Sequence, residues 1–437
     1  MPATSADRPH ARRAAVASMV GAVFEWYDFY LYGLATALVF NKIFFATLDP
    51  TTGQLAAFGT YAVGFVARPL GAVLAGQIAD RHGRRRVLVL SLVTMGVVTT
   101  LVGALPTYRQ VGAAAPTALV ILRLIQGVAA GAEQGGAAVF MVEHSGARRR
   151  GRWGSLATSG AGLGLLFAST AFFLLQRFAS SSEILAGGWR IPFLISPVLI
   201  LVGLVIRVTV PEPEVFERTQ HGNRARSNVF VDLLRHHKRR LALGVGLRIS
   251  QTTASYFYTV FSVYYIGVVL GKTSSVGAAS VAVSSALSLL SAPFWGMMSD
   301  RSGRRRWYLF GAIGSALYMA PFFLLVDTRS PVLIGLGVVC GLNLFHDAMS
   351  APQPAWLSEL FPTAVRGSGV GMSYQIGAVL GGGILPLVGV FLLMAGSGRP
   401  WLIVAYFVAL SMVTVTAACL APETGAQALE PLETVRG

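Results

Sequence analysis

The sequence predicts an all-α polytopic membrane protein, with twelve transmembrane helices in two pseudo-symmetric six-helix halves. Three observations carry that prediction. Of its 437 residues, 54% are hydrophobic and 12% are charged, about half the charged share of a soluble globular domain. Apolar runs long enough to cross a bilayer, about 20 residues at 1.5 Å each, recur along the whole chain. Several polar motifs also occur twice, in the same order and at nearly constant spacing.

The apolar runs place spans at 14–40, 54–79, 87–108, 116–142, 153–178, 188–210, 239–268, 275–299, 307–326, 331–357, 367–395 and 399–420. The first run follows the polar stretch MPATSADRPHARR and is too long for a signal-peptide core, so it reads as a retained span. The widest polar gap, 211–238, reads PEPEVFERTQHGNRARSNVFVDLLRHHK. It divides the chain into an N-terminal bundle (1–210), a cytoplasmic linker (211–238) and a C-terminal bundle (239–437). The repeat agrees with this division. GQIADRHGRRR at 76–86 returns as GMMSDRSGRRR at 296–306, offset by 220 residues. Glu143 to Arg150-Gly151 returns as Glu359 to Arg366-Gly367, offset by 216, and Pro211-Glu212 as Pro422-Glu423, offset by 211. Paired halves of this kind place a substrate at their interface near the bilayer midplane.

Orientation follows from the basic residues. One set of loops holds Arg81, Arg84, Arg85 and Arg86, then Arg148, Arg149, Arg150 and Arg152, then Arg301, Arg304, Arg305 and Arg306. The opposite loops hold isolated cations: Lys42, Arg109, Arg177, Lys272 and Arg329. The first set is expected in the cytoplasm, with both termini, and the chain in a bacterial cytoplasmic (inner) membrane. A net charge of +16 would point to nucleic acid in a soluble protein. Confined to loops, it is a topology signal, and no nucleic-acid partner is expected. Cys340 and Cys419 fall inside spans, so no disulfide framework is expected. There is no Walker lysine loop, HExxH or CxxC, and no gap large enough for a nucleotide-binding domain. No enzyme activity, cofactor or metal is expected, and the chain reads as a monomer.

The duplicated loop carries more than anchoring. Positive-inside topology explains its arginines but neither its aspartates nor its glycines. Gly76 would let helices approach, and Gly83 would support a tight turn. Asp80 and Asp300 sit at helix ends, where they can pair with arginines or with a helix N-terminus. A gate is therefore expected from Gly76, Asp80, Arg81, Gly83 and Arg84, their mates Asp300, Arg301, Gly303 and Arg304, and the pairs Glu143–Arg150 and Glu359–Arg366.

FEWYDFYLYG, residues 24–33, puts two carboxylates inside the first span, where each costs at least ~2.5 kcal/mol. Glu25, Asp28 and Tyr32 share one helix face. Arg123, Gln126, Gly127, Ala130 and Glu133 do so in span four; Arg248, Gln251, Thr252, Ser255, Thr259 and Ser262 in span seven; Asn343, His346, Asp347 and Ser350 in span ten. Polar stripes on apolar helices face a cavity, although for the Ser and Thr members helix–helix hydrogen bonding is the plainer reading. Asp28 is expected to pair with Arg123, giving a carboxylate with two low-cost states and hence a proton-coupling site. Glu25 either relays the proton or braces a neighbouring helix, and Glu133 is the rival coupling acid. Arg68, Arg123 and Arg248 are the intramembrane cations, and a buried guanidinium suits a carboxylate bound by two oxygens. Arg248 is the expected substrate anchor, unless it snorkels from about 12 Å inside span seven to the surface. Arg68, Tyr32, Gln126, Gln251, Asn343, His346, Asp347 and Tyr374 are expected to line the site with it.

The duplicated loop resembles the loop-2/3 signature of the major facilitator superfamily. GAVFEWYDFYLYG (21–33), GFVARPLGAVLAGQIADRHGRRR (64–86), RLIQGVAAGAEQGGA (123–137) and GGWRIPF (187–193) resemble its metabolite:proton symporter branch, which includes permeases for α-ketoglutarate, shikimate, citrate and proline/betaine. The resemblance runs from Gly21 to Glu423. It implies alternating access between two rocking halves, and related sugar porters imply an aspartate–arginine couple on spans one and four. The branch often has Gly-Glu-Trp-Gly-Gly where this chain has Ala132-Glu133-Gln134-Gly135-Gly136.

The expected function is proton-coupled import of a small organic acid or related carboxylate metabolite. Alternatives are a proton-driven exporter of a metabolite or drug, a betaine or proline zwitterion symporter, and a solute receptor that transports nothing. A receptor usually carries a large cytoplasmic extension, and only about 17 residues follow span twelve. ETGAQALEPLETVRG is too short for the three or four heptads of an osmosensing coiled coil, which lowers the osmoregulatory reading.

Overall fold

The computed structural model describes residues 22–82, 84–132, 142, 149–198, 201–202, 229–271, 274–363 and 365–425. All regular structure among them is helical. Twelve membrane helices follow in chain order. In the first half, α1 is 22–44 and α2 is Pro50–Val66, continuing after Ala67 as Arg68–His82. Next come α3 (Arg84–Ala104), α4 (Ala114–Gly131), α5 (Arg150–Phe178) and α6, which opens at Ile191–Leu194. In the second half, α7 is 238–269 and α8 is Ser274–Ser302. Then follow α9 (Arg304–Asp327), α10 (Pro331–Leu360), α11 (Arg366–Ala395) and α12 (Trp401–Leu420).

Eight of these are long and apolar enough to cross a membrane by length and composition alone: α2, α4, α5 and α8 to α12. The polar stripe of α7, from Arg248 to Ser262, is almost wholly buried. Asp49 starts α2 as its N-cap: its Oδ1 accepts from the Thr51 and Thr52 amides at 3.1 Å, with Pro50 in the first turn. Five helical stretches among the described residues are wound wider than an α-helix, with i→i+5 bonds. They are Thr36–Phe40 in α1, Phe257–Phe261 and Tyr265–Val269 in α7, Cys340–His346 in α10 and Ala378–Gly383 in α11.

Glycine sets the packing in two places. On α2 and α4, a Cβ at Gly127 would fall 2.1 Å from the Gly64 oxygen, and one at Gly131 would fall 2.0 Å from that of Arg68. These helices touch backbone to backbone, as small-residue interfaces allow in lipid. Between the halves, Gly151 of α5 meets Gly296 of α8 in the same way, each imagined Cβ lying 2.6 Å from the other's oxygen.

Aromatic packing fills the interface further along. Phe65 of α2 meets Tyr256 of α7 edge-on at 5.1 Å, and Phe58 meets Tyr264 at 5.7 Å. The Tyr30 hydroxyl of α1 bonds Ser255 of α7 at 3.2 Å. Behind α7, Phe257 packs against Phe322, Phe323 and Phe407, which ties α7 to α9 and α12. The halves therefore meet both at the α5–α8 ends and at the opposite ends of α2 and α7.

Candidate functional site

Three buried guanidiniums occupy the interface level. Arg123 is wholly buried on α4, with its guanidinium carbon 3.4 Å from the centre of the Tyr32 ring and 5.0 Å from that of Phe29. Its Nη1 donates to Gln126 Oε1, and its Nε and Nη2 have no hydrogen-bond partner. Gln126 Nε2 donates to Thr99 Oγ1 at 2.9 Å. Arg68 lies over Phe29 at 3.9 Å and Phe65 at 4.6 Å.

Asp28 departs from expectation. Its Oδ1 accepts from Ser196 Oγ at 3.3 Å, and Thr99 lies beside the carboxylate. No ion pair joins Asp28 to Arg123. One turn further along α1, the face of Tyr32 has taken the guanidinium, while Asp28 is held towards α3 and α6. Among the described residues, hydrogen bonds through Gln126 and Thr99 connect the two ends. Asp28 and Glu25 instead line a small cavity with Phe24, Leu92, Met95, Gly96 and Ser196.

Arg248 does not snorkel. It is 5% exposed, over the Tyr374 ring at 4.2 Å. Its Nη1 donates to Gln251 Oε1 at 2.6 Å and also to Gln353 Oε1, and its Nε has no partner. Gln353 Nε2 donates to Tyr308 Oη at 2.5 Å, and Tyr308 donates to the Leu247 carbonyl. Neither Arg123 nor Arg248 makes an ion pair among the described residues. Gln251 Nε2 contacts His346 Nε2 at 2.8 Å, and His346 Nδ1 contacts Asp347 Oδ1 at 3.0 Å. Asp347 Oδ2 accepts from Ser288 at 2.8 Å, from Ser291, and from Asn343 at 3.4 Å. The polar stripes of α7 and α10 thus join into one network with Arg248 at its end.

Of the residues expected to form a gate, Asp300, Arg304, Arg150 and Glu359 gather where α5 and α9 begin and α8 and α10 end. Asp300 Oδ1 accepts from the Gly151 amide at 2.8 Å, and its Oδ2 from the Arg152 amide at 2.9 Å. A carboxylate of one half thereby caps the first turn of a helix in the other. Arg304 Nη1 reaches Asp300 at 2.6 Å, and its Nη2 reaches Glu359 at 3.3 Å; Arg150 stands 3.6 Å from Glu359. Glu423, beyond α12, caps α9 by accepting from the Arg304 and Arg305 amides at 2.9 Å. Burial alone would raise the Glu423 carboxyl. The amides of Arg304, Arg305 and Gly425 and the Arg304 charge outweigh it, holding the group below its ordinary range. Gly303 turns between α8 and α9 at φ +93°, a conformation that favours glycine. Arg301 is a correction: it is exposed and joins none of these contacts. Arg366 braces the turn into α11 through the Ser358 carbonyl at 2.9 Å and Thr363 at 3.0 Å. Glu133, Glu143 and Gly83 lie outside the described residues. For Gly76, Asp80, Arg81 and Arg84 only the helical course is described.

Sequence reasoning missed Phe29, Thr99, Ser196, Ser288, Ser291, Tyr308 and Gln353. Gln353 was signalled as an amide inside the apolar run after Ser350. The aromatics carried no signal distinguishing them from ordinary core.

Residues 14–228 match the family model described as sugar (and other) transporter, and residues 244–436 match that of the major facilitator superfamily. The shikimate transporter of Escherichia coli K12 is 37% identical over 94% of this chain and 94% of its own. The inner membrane metabolite transport protein YhjE of the same strain is 34% identical, over 95% and 94%. The chain belongs to the major facilitator superfamily. Its fold agrees with the crystal structure of a D-xylose-proton symporter, at a TM-score of 0.72 and 19% identity, over 96% of this chain and 100% of that one. The ectoine/proline transporter ProP of Corynebacterium glutamicum is 34% identical over 87% of this chain and 78% of its own. This facilitator is a multi-pass membrane transporter for small molecules and not an enzyme, as the sequence led one to expect.

Proposed function

We propose that this transporter imports a small organic acid together with one or more protons, binding the carboxylate at Arg248. One observation carries the reading: a buried guanidinium at the interface of the halves, with an unpartnered Nε and no acid to neutralise it among the described residues. An unpaired buried cation costs several kcal/mol. A substrate carboxylate would complete it through two parallel hydrogen bonds while Tyr374 supports the guanidinium face. The metabolite and shikimate transporters among its relatives support this class of substrate.

Asp28 is the proposed proton carrier. It lines a cavity with Glu25 and is linked through Thr99 and Gln126 to Arg123. The Asp300 cap on α5 and the aromatic contacts of α2 with α7 bring the halves together at both ends, which suits an occluded intermediate of alternating access. With the basic loops and both termini in the cytoplasm, the Asp300 cluster is the cytoplasmic gate. A betaine-like zwitterion fits less well. The faces of Phe29 and Tyr32 that would receive a quaternary ammonium group already carry Arg68 and Arg123.

The deciding experiment is an uptake screen of mono-, di- and tricarboxylates, shikimate among them, in proteoliposomes with an imposed pH gradient. Accumulation of an acid that collapses with a protonophore, and that its ester or amide does not compete with, is expected. Neutral amides competing as well as acids would overturn the carboxylate reading.

A further inference from the structure

The two halves carry similar polar chains with their charges exchanged. In the first, Arg123 on α4 donates to Gln126, whose amide donates to Thr99 beside Asp28 of α1. In the second, Arg248 on α7 donates to Gln251, which contacts His346 and through it Asp347 of α10. The sequence repeat matches α1 with α7 and α4 with α10, so acid and guanidinium have changed helices. The second chain differs in one respect: its middle member, His346, is an imidazole, whose two ring nitrogens can each hold a hydrogen.

Gln251 fixes where the protons are. An amide has one acceptor oxygen and one donor nitrogen. Its Oε1 accepts from Arg248 Nη1, so Nε2 faces His346 Nε2 and must donate. His346 Nε2 is therefore the bare nitrogen, and Nδ1 carries the hydrogen given to Asp347. This tautomer is assigned from the network. Ser288, Ser291 and Asn343 also donate to the Asp347 carboxylate.

We propose that His346 is a second proton-binding group, loaded when an anionic ligand takes the Arg248 guanidinium from Gln251. The proposal rests on the carboxylate reading of Arg248 given above. Ligand oxygens replace Gln251 Oε1 as acceptors of Nη1. The released amide turns about its Cγ–Cδ bond and presents Oε1 to His346 Nε2, which then needs a hydrogen. One proton from water binds there, Nδ1–H stays on Asp347, and an imidazolium–carboxylate pair results. When the ligand leaves, Arg248 reclaims the oxygen, the amide turns back and the Nε2 proton returns to water. Only an N–H bond forms and breaks, one proton per anion. The groups facing this dyad are Arg248 on α7, reached through Gln251; Tyr308 on α9, reached through Gln353; Ser288 and Ser291 on α8; and Tyr30 of α1, within electrostatic range of Arg248 and Asp347.

The test uses the full chain in nanodiscs with 15N-labelled histidine. His346→Asn identifies the His346 signals among the seven histidines. At pH 8 the wild-type protein should show the Nδ1–H tautomer, and an Nε2–H tautomer overturns the proposal. A cycle of Arg248→Met and Gln251→Leu, singly and together, then reads the His346 titration midpoint. Arg248→Met should raise it by about one pH unit, a tenfold change, and by less than half as much in the Gln251→Leu background. Equal rises in both backgrounds would mean that only the guanidinium's field acts, and the relay is refuted. If a variant fails to fold, the wild-type tautomer decides alone. No substrate enters the cycle, so failure of the carboxylate reading appears separately, in the competition assay.

Discussion

Replacing Asp300 by Asn isolates the contact that holds the two halves together at the α5–α8 end. The carboxylate is 7% exposed and accepts from the amides of Gly151 and Arg152 and from Arg304. An amide keeps one acceptor oxygen and sets its NH2 against the remaining backbone N–H. One charge-assisted bond of ~1.5–3 kcal/mol is lost, along with ~0.3–1 kcal/mol of interaction with the α5 N-terminus. Because α5 and α8 belong to different halves, this energy exists only while that end is closed. A net ~2–3 kcal/mol changes the ratio of closed to open states by about 30- to 150-fold. Spin labels at Trp153 and Arg301, both exposed, in a background lacking Cys340 and Cys419, would report the separation by double electron–electron resonance. Asp300→Asn should move most of the distance distribution outwards, with uphill uptake reduced in parallel. A correctly folded variant with an unchanged distribution would refute the reasoning.

Other outcomes follow from the same geometry. Arg248→Lys keeps the charge but loses the fork, so substrate affinity should fall at least about tenfold, ~1.4 kcal/mol; unaltered affinity in a binding titration removes Arg248 as the anchor. Asp28→Asn should abolish gradient-driven accumulation yet leave substrate exchange across the liposome membrane measurable, and normal accumulation would make Glu133 the coupling acid instead. Glu423→Gln should weaken the cap on α9 by about 0.5–1 kcal/mol, the low end because the side chain is exposed. The Glu423 carboxyl is depressed in the folded chain, so its contribution is present above the ordinary glutamate range, near pH 4.5, and is lost as pH falls through the depressed value. The Tm difference between variant and wild type should therefore vanish in acid, and a constant difference would contradict the assignment. Gly127→Ala sets a methyl 2.1 Å from the Gly64 oxygen, and forcing α2 from α4 should cost about 1–3 kcal/mol, visible as a lower Tm in detergent.

The helices were legible because hydrophobicity along a chain needs no partner to be read. From the second span onwards, every expected start lies within four residues of the observed one. Arg248, Gln251, His346 and Asp347 were legible as stripes, since a 3.6-residue period places them on one face. What they bond to was not. Asp28 and Arg123 form no ion pair because the guanidinium lies on the face of Tyr32, and no spacing within one helix encodes its rotation against another. Asp300 was recognised as a helix-end acid, but its partners are amides 149 and 148 residues away, and backbone groups leave no trace in residue identity. Gly64 and Gly127 looked like many other glycines, and only the facing backbone distinguishes them.

The wide turns bear on what this chain tolerates in its own length. Each absorbs one residue more than an α-helix would use to reach the same flanking bonds. Nearby threonines attend the one in α11: Thr252 donates to the Gly377 carbonyl and Thr253 to that of Gly381, both at 3.1 Å. Removing a single residue from Ala378–Gly383 would restore ordinary winding and leave both flanks in phase. The same deletion in regularly wound α9 would rotate everything beyond it by about 100°. Among the described residues, single-residue deletions should thus be survivable in α1, α7, α10 and α11 at these positions and ruinous in regularly wound stretches, so that among natural homologues gaps inside these spans would gather at the wide turns.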